Sequence, residues 1–370
     1  MRRSPPRTRA TSGLEVIANS RLVEEETLDW EWYSPDEFIQ EHRRAALKIG
    51  AFHALSGELS VSKYLKTIRR GHVGSSLVRQ TLDEFEVTRQ ARKYEAIVYS
   101  PLAITLRGFR KIFRDQALPI ELLRLVVRHV FVALDFLHTE ARAIHTGGLH
   151  SDIQEKNILL GLDDNTAEAD LDKFAQQEFE SSSPRKINGD RVIYTSHATL
   201  LCDLGDARFG EYDPAADIQP YQCRAPEMIL DMPWDHKADS LNVGVLRSLT
   251  ASVPQIWDLF ENDNLFEPTG GSQNKQNNIY PLAHMIALLG PHRMTPSSGL
   301  RRILNSHAGN WKGDADIPDA SLGHAEEDWA GEDKVLFLRF VRKMLKWKLE
   351  ERASAKELLD DPWLNAEQRT

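Results

Sequence analysis

The chain has 370 residues, with 46 Lys and Arg against 55 Asp and Glu, a net charge of −9, and 41% hydrophobic and 27% charged residues. At ~100–200 residues per domain, this predicts two or three compact units or one large two-lobed domain of globular composition. The acidic balance argues against direct binding to a nucleic-acid backbone. Apolar runs such as Val130–Leu134 fall far short of the ~18–20 residues that cross a bilayer. Cys202 and Cys223 are too few for a disulfide framework, so a reducing compartment is expected.

The first 22 residues are rich in Arg (Arg2, Arg3, Arg7, Arg9, Arg21), carry no acid before Glu15 and lack an apolar core, which excludes a secretory signal. Their Arg, Ser and Thr content also fits a mitochondrial transit peptide; a plain tail is the reading preferred over it. Residues 1–38 therefore read as a largely irregular N-terminal tail that includes the acidic, aromatic stretch Glu24–Tyr33. Residues 45–49 and 94–99 carry short apolar runs suited to strands, and Glu58–Leu65 between them has helical character. The alternative for the first run is a single helix over Ile39–Leu55, because Glu41, Arg43, Arg44, Ala45, Ala46, Leu47 and Lys48 are mostly good helix formers. From Pro119 the pattern changes. Leu122, Leu123, Val126, Val130, Leu134 and Leu137 recur at steps of three and four, one apolar face of a long helix. Residues 162–190 and Thr269–Asn278 read as polar loops, and 335–364 as two closing helices.

Four motifs then follow in a fixed order. His150-Ser151-Asp152 precedes Asn157 and the apolar run Ile158-Leu159-Leu160; an acid followed by Asn and a strand can pair a proton acceptor with a metal-binding amide. Leu201-Cys202-Asp203-Leu204-Gly205 is a strand ending in a carboxylate and a turn glycine. Arg224-Ala225-Pro226-Glu227 is third, and Arg352, ahead of Pro362-Trp363-Leu364, is fourth. A buried Glu227–Arg352 ion pair is expected to tie the last two together. Over about residues 94–364 this series resembles the large lobe of a eukaryotic protein kinase. It is similar above all to the SR-protein kinases of fungal type, through Asp203-Leu204-Gly205, Asp217-Ile218-Gln219, Ile256–Phe260 and Leu282–Gly290.

The resemblance implies an α+β, two-lobed kinase fold with a truncated small lobe at 39–101. A mainly helical large lobe follows at 102–366, with an insertion at about 162–195. It implies a serine/threonine protein kinase using ATP and Mg2+. Asp152 would accept the substrate hydroxyl proton, and Asn157 and Asp203 would hold the metal. Lys48, in Ala45–Ile49, would contact the nucleotide phosphates and Glu58 would orient it. Tyr99 would be the gatekeeper, with Ser100 and Leu102 in the nucleotide-binding hinge. The implied partner is a protein substrate, by family Arg/Ser-rich, met by a monomer in the cytoplasm or nucleus. The rival reading is a catalytically silent pseudokinase acting as a binding scaffold.

Several departures bear on rate. Gly13 is the only glycine ahead of Lys48, so the family's glycine-rich phosphate lid is missing. Gln154 stands where many kinases carry Lys, which removes a positive charge near the transferring phosphate. His145-Thr146 and His150-Ser151 both resemble the start of the catalytic loop, and Gly147–Ser151 lie between the first pair and Asp152. Pro254 interrupts the helix expected after Asp239. Between Asp203 and Glu227 there are Tyr212 and Tyr221 but no Ser or Thr, so no Ser/Thr phospho-switch is expected there. Weak phosphotransfer follows.

Overall fold

A computed structural model describes residues 16–18, 45–51, 53–68, 71–89, 92–113, 118–144, 153, 155–162, 169, 171, 173, 199–205, 207–209, 225–230, 232–245, 279–290, 317 and 331–366. The chain divides into two compact units. One comprises residues 1–62, 79–103 and 161–197, and the other 63–78, 104–160 and 198–370.

The first unit is built on a sheet. Its strands are β1 (Val16–Ala18), β2 (Ala45–Ala51), β3 (Thr81–Arg89) and β4 (Arg92–Tyr99), in the order β1-β2-β4-β3. The helix α1 (Ser56–Thr67) begins here. β2 lies antiparallel to β4 with Lys48 opposite Ile97, and β3 and β4 form an antiparallel pair from Thr81↔Tyr99 to Arg89↔Arg92. Residues 45–51 are therefore strand, although most of them favour helix in isolation. What decides it is β4, where Ala96, Ile97, Val98 and Tyr99 are all buried and need a paired neighbour. Leu55, Ile97 and Tyr99 form a small core, and Ala46 and Leu59 pack against it.

Two features of this sheet go beyond the sequence reading. β3 was not anticipated, because Asp83, Glu84 and Glu86 are poor strand formers and only its pairing with β4 organises them. β1 adds a short strand inside the stretch expected to be irregular, and it runs parallel to β2 with Val16 opposite Ala45.

The second unit contains β5 (Ile104–Thr105), α2 (Leu106–Arg110), α3 (Ile120–Thr139), β6 (Ala143–Ile144), β7 (Ile158–Leu160), β8 (Thr199–Leu201) and β9 (Arg208–Phe209). These are followed by α4 (Pro226–Ile229), α5 (Lys237–Val245), α6 (Ile279–Leu289), α7 (Gly331–Met344) and α8 (Ala355–Leu359). α3 is the long helix expected from its apolar spacing; it buries Leu123, Val126, Val130, Leu134 and Leu137. Its Phe131 meets Phe340 of α7 edge-on at 6.1 Å, and Trp363 packs on Phe337 and Phe340 at 5.3 and 4.7 Å. β5, β7 and β8 form a three-stranded antiparallel sheet. α8 opens with a reciprocal Ser354–Glu357 capping box, each side chain bonded to the other's backbone N–H. The two closing helices expected over 335–364 correspond to α7 and α8.

Candidate active site

In the first unit, β2 carries Lys48 on the same face as Ala46, two residues earlier, which packs on the small core. Glu58 stands in the first turn of α1. Lys48 Nζ lies 2.5 Å from Glu58 Oε2, an ion pair sheltered from solvent on the Glu side. The other carboxylate oxygen, Oε1, accepts a hydrogen bond from the Tyr99 hydroxyl at the end of β4. The Arg79 guanidinium carbon sits 4.1 Å from the centre of the Tyr99 ring, and an Arg79 Nη donates to the Ser100 carbonyl at 3.5 Å. Ser100 is exposed and Leu102 half-buried, just past the strand.

In the second unit, the β7–β8 register sets Ile158 opposite Leu201, and one step beyond it the Cys202 N–H donates to the Asn157 carbonyl at 2.8 Å. Asn157 and Asp203 therefore emerge at the same end of one ladder. Asp203 has φ 59°, a left-handed conformation rare for a residue with a side chain, and it turns the chain off β8 into Leu204 and Gly205. A buried amide and a carboxylate at adjoining strand ends suit a hard cation that completes its shell with water and phosphate oxygens. Among the described residues no group of three His, Cys, Asp or Glu forms a preassembled metal cage.

The segment preceding Asn157 is anchored to α2. Glu155 and Arg110 are both buried, with Arg110 Nε 3.0 Å from Glu155 Oε1. The Arg107 N–H also reaches the Glu155 carbonyl at 3.4 Å. Burial pushes the Glu155 carboxyl up to about 7, against the opposing pull of Arg110 and Arg107. Farther on, Arg352 grips Glu227 with two nitrogens, at 2.7 and 3.0 Å, and donates to the carbonyls of Lys237 and Lys346, both at 3.1 Å. The ion pair expected from the ordered motifs is formed. His138 Nε2 lies 2.8 Å from the fully buried Asp239.

The structure thus brings Lys48 to Glu58 and Asn157 to the root of Asp203. Asp152, Gln154, His145, His150, Arg224, Tyr212, Tyr221 and Pro254 lie outside the described residues, as do most of 162–195 and all of 269–278. Sequence reasoning missed the Tyr99–Glu58 bond, the Arg79 contact and the Arg110–Glu155 pair. Partners 41 residues apart, such as Tyr99 and Glu58, leave no periodic trace in a single sequence.

No helix among the described residues is long and apolar enough to cross a membrane. No family model matches the chain. It is 34% identical to a serine/threonine protein kinase of Aspergillus fumigatus, an alignment that spans 98% of this chain and 96% of the relative. It is 26% identical to the serine/threonine-protein kinase SRPK of Physarum polycephalum over 87% of this chain and 80% of that one. With protein kinase dsk1 of Schizosaccharomyces pombe the identity is 20%, over 95% and 81%. A solved kinase domain matches with a TM-score of 0.59 at 18% identity, covering 86% of this chain and 87% of the other, which shows the two-lobed α+β kinase fold. With these relatives and that fold, the chain belongs to the serine/threonine protein kinases and stands close to the SR-protein kinases within them.

Proposed function

We propose that this kinase transfers the γ-phosphate of ATP, with Mg2+, to serine or threonine in Arg/Ser-rich proteins, acting as a monomer in the cytoplasm or nucleus. The observation that supports the nucleotide reading best is the Lys48–Glu58 ion pair at 2.5 Å. A lysine held in this way offers its ammonium as a fixed point charge to the nucleotide phosphates. In this reading Asn157 and Asp203 hold the magnesium ion, whose charge neutralises the phosphate oxygens during transfer. Asp152 accepts the hydroxyl proton of the substrate. Tyr99, Ser100 and Leu102 border the adenine. The Arg/Ser preference is carried over from the names of the SR-type relatives and from no residue of this chain.

Two departures from the family lower the expected rate. No glycine-rich loop precedes Lys48 to cover the phosphates with backbone N–H groups, and Gln154 supplies no cationic charge. Turnover is expected well below the ~1–100 s⁻¹ usual for kinases. The test is a thermal-shift titration of the full chain with Mg-ATP, run beside Asp203→Ala, together with phosphotransfer to an Arg/Ser-repeat peptide. Magnesium-dependent stabilisation that Asp203→Ala loses, with transfer that Asp152→Asn abolishes, supports the reading. Equal shifts in both chains would remove the metal site, and binding without any transfer would favour the silent scaffold.

A further inference from the structure

We infer that Tyr99 is a positioning residue, whose hydroxyl holds Glu58 on Lys48 and which Arg79 in turn holds in place. The inference rests on the nucleotide-binding role of Lys48 proposed above. A carboxylate that pairs with one lysine through one oxygen keeps a free oxygen and can swing about its last torsion. Here the second oxygen is taken: Glu58 Oε2 meets Lys48 and Glu58 Oε1 accepts from Tyr99. The carboxylate is thereby fixed from two sides, by β2 and by β4, while its backbone belongs to α1.

Tyr99 is itself immobilised. Its ring is buried against Leu55 and Ile97, and the Arg79 guanidinium lies 4.1 Å from the ring centre. A cation over the ring draws electron density from the phenol and makes its O–H a better donor. Arg79 is tethered in turn to the carbonyl of Ser100, the residue after Tyr99. The order Arg79, Tyr99, Glu58, Lys48 is thus a continuous chain of charge and hydrogen bond within one compact unit. Phenylalanine at 99 would fill the same space and leave Glu58 Oε1 without this donor. The chain has no glycine-rich loop to shape the phosphate site from above, so this clamp contributes to keeping the lysine ammonium in place before nucleotide arrives.

The test labels the full chain with an isotopically marked acetylating reagent and reads Lys48 by mass spectrometry, normalised to the exposed Lys356. An ammonium held by a carboxylate is protected, because acylation needs the free amine. Tyr99→Phe is expected to raise Lys48 labelling about three- to tenfold, and Glu58→Gln by at least as much. Arg79→Met, which keeps the hydroxyl and guards against a folding defect at position 99, is expected to raise it by less. The melting midpoint without nucleotide shows which variants remain folded. In phosphotransfer, Tyr99→Phe should lower kcat/KM about tenfold in the wild-type background and have no further effect in a Glu58→Gln background. Unchanged Lys48 labelling in Tyr99→Phe overturns the clamp, and so does an equal loss of activity in both backgrounds. If the unaltered chain transfers no phosphate, the kinase chemistry fails while the labelling still decides the clamp.

Discussion

Glu155 shows how one side chain can carry opposing demands. It lies three residues past Asp152, buried beside Arg110, and burial holds its carboxyl up to about 7 against an ordinary value near 4.5. The folded chain therefore binds a proton here that the unfolded chain has released, so Glu155 lowers stability as pH rises from 4.5 through about 7. Two histidines of the same unit act the other way. His129, whose Nδ1 accepts the Thr199 N–H at 3.1 Å, is held below its usual range by burial and by Arg128. His236 is held low by burial and by His138. Both disfavour protonation in the folded chain, so each costs stability as pH falls below about 6.5. The slopes oppose one another across the same window. Glu155→Gln is expected to unmask the histidines, so that the melting midpoint rises from pH 5 to 6.5 more steeply than in the unaltered chain. Calorimetry over pH 5–8 reads this directly, and parallel profiles for the two chains would contradict it. The pairing of Glu155 with Arg110 was not legible in the sequence, because no rule of spacing links it to a helix 45 positions earlier.

At the level of elements, close approach and buried charge carry most of the specificity. The 3-10 turn Val73–Leu77 packs on α3, and His72 caps it by accepting the Gly74 N–H at 3.0 Å while its other nitrogen meets Asp135 at 3.1 Å. A Cβ on Gly74 would lie 2.1 Å from the Val132 carbonyl oxygen, so helix and turn touch only because that position has no side chain. Gly74→Ala is expected to cost about 1–3 kcal/mol, read from the denaturant midpoint. The Glu227–Arg352 pair joins α4 to the turn before α8 with both ions buried. Arg352→Met keeps the volume and strands a buried carboxylate, at an expected cost of about 3–5 kcal/mol. The double variant with Glu227→Gln should recover part of that loss, since it removes the orphaned charge. α3 could be read from its own periodicity, and the Glu227–Arg352 pair from motif order. β3 could not: its acids argue against a strand, and only the buried β4 beside it recruits the backbone.

On the scale of the whole molecule, the small sheet bears on the missing lid. β1 occupies one edge of β2, running parallel with Val16 at Ala45. A glycine-rich hairpin inserted between Ile39 and Ala45 would pair with that same edge and displace β1, and it would supply backbone N–H groups over the phosphates. Such an insertion is expected to raise kcat sharply, with Asp152→Asn abolishing the gain; an ordinary kinase rate in the chain as it stands would contradict the reasoning. The sequence by itself determined the kinase fold, the long amphipathic helix, the strand-turn settings of Asn157 and Asp203, and the absence of the glycine-rich loop. The helix and the missing loop are properties of local periodicity and residue order, which a chain carries before it folds. The fold and the settings of Asn157 and Asp203 were implied instead by the resemblance of the ordered motifs to a known family. The tertiary structure settled Ala45–Ala51 as the expected strand over the helical alternative, and it alone decided that an acidic segment forms β3, that Tyr99 bonds Glu58, and that Arg110 meets Glu155. Each of these depends on burial and pairing between distant segments. Their free energy belongs to the contact and to neither residue alone.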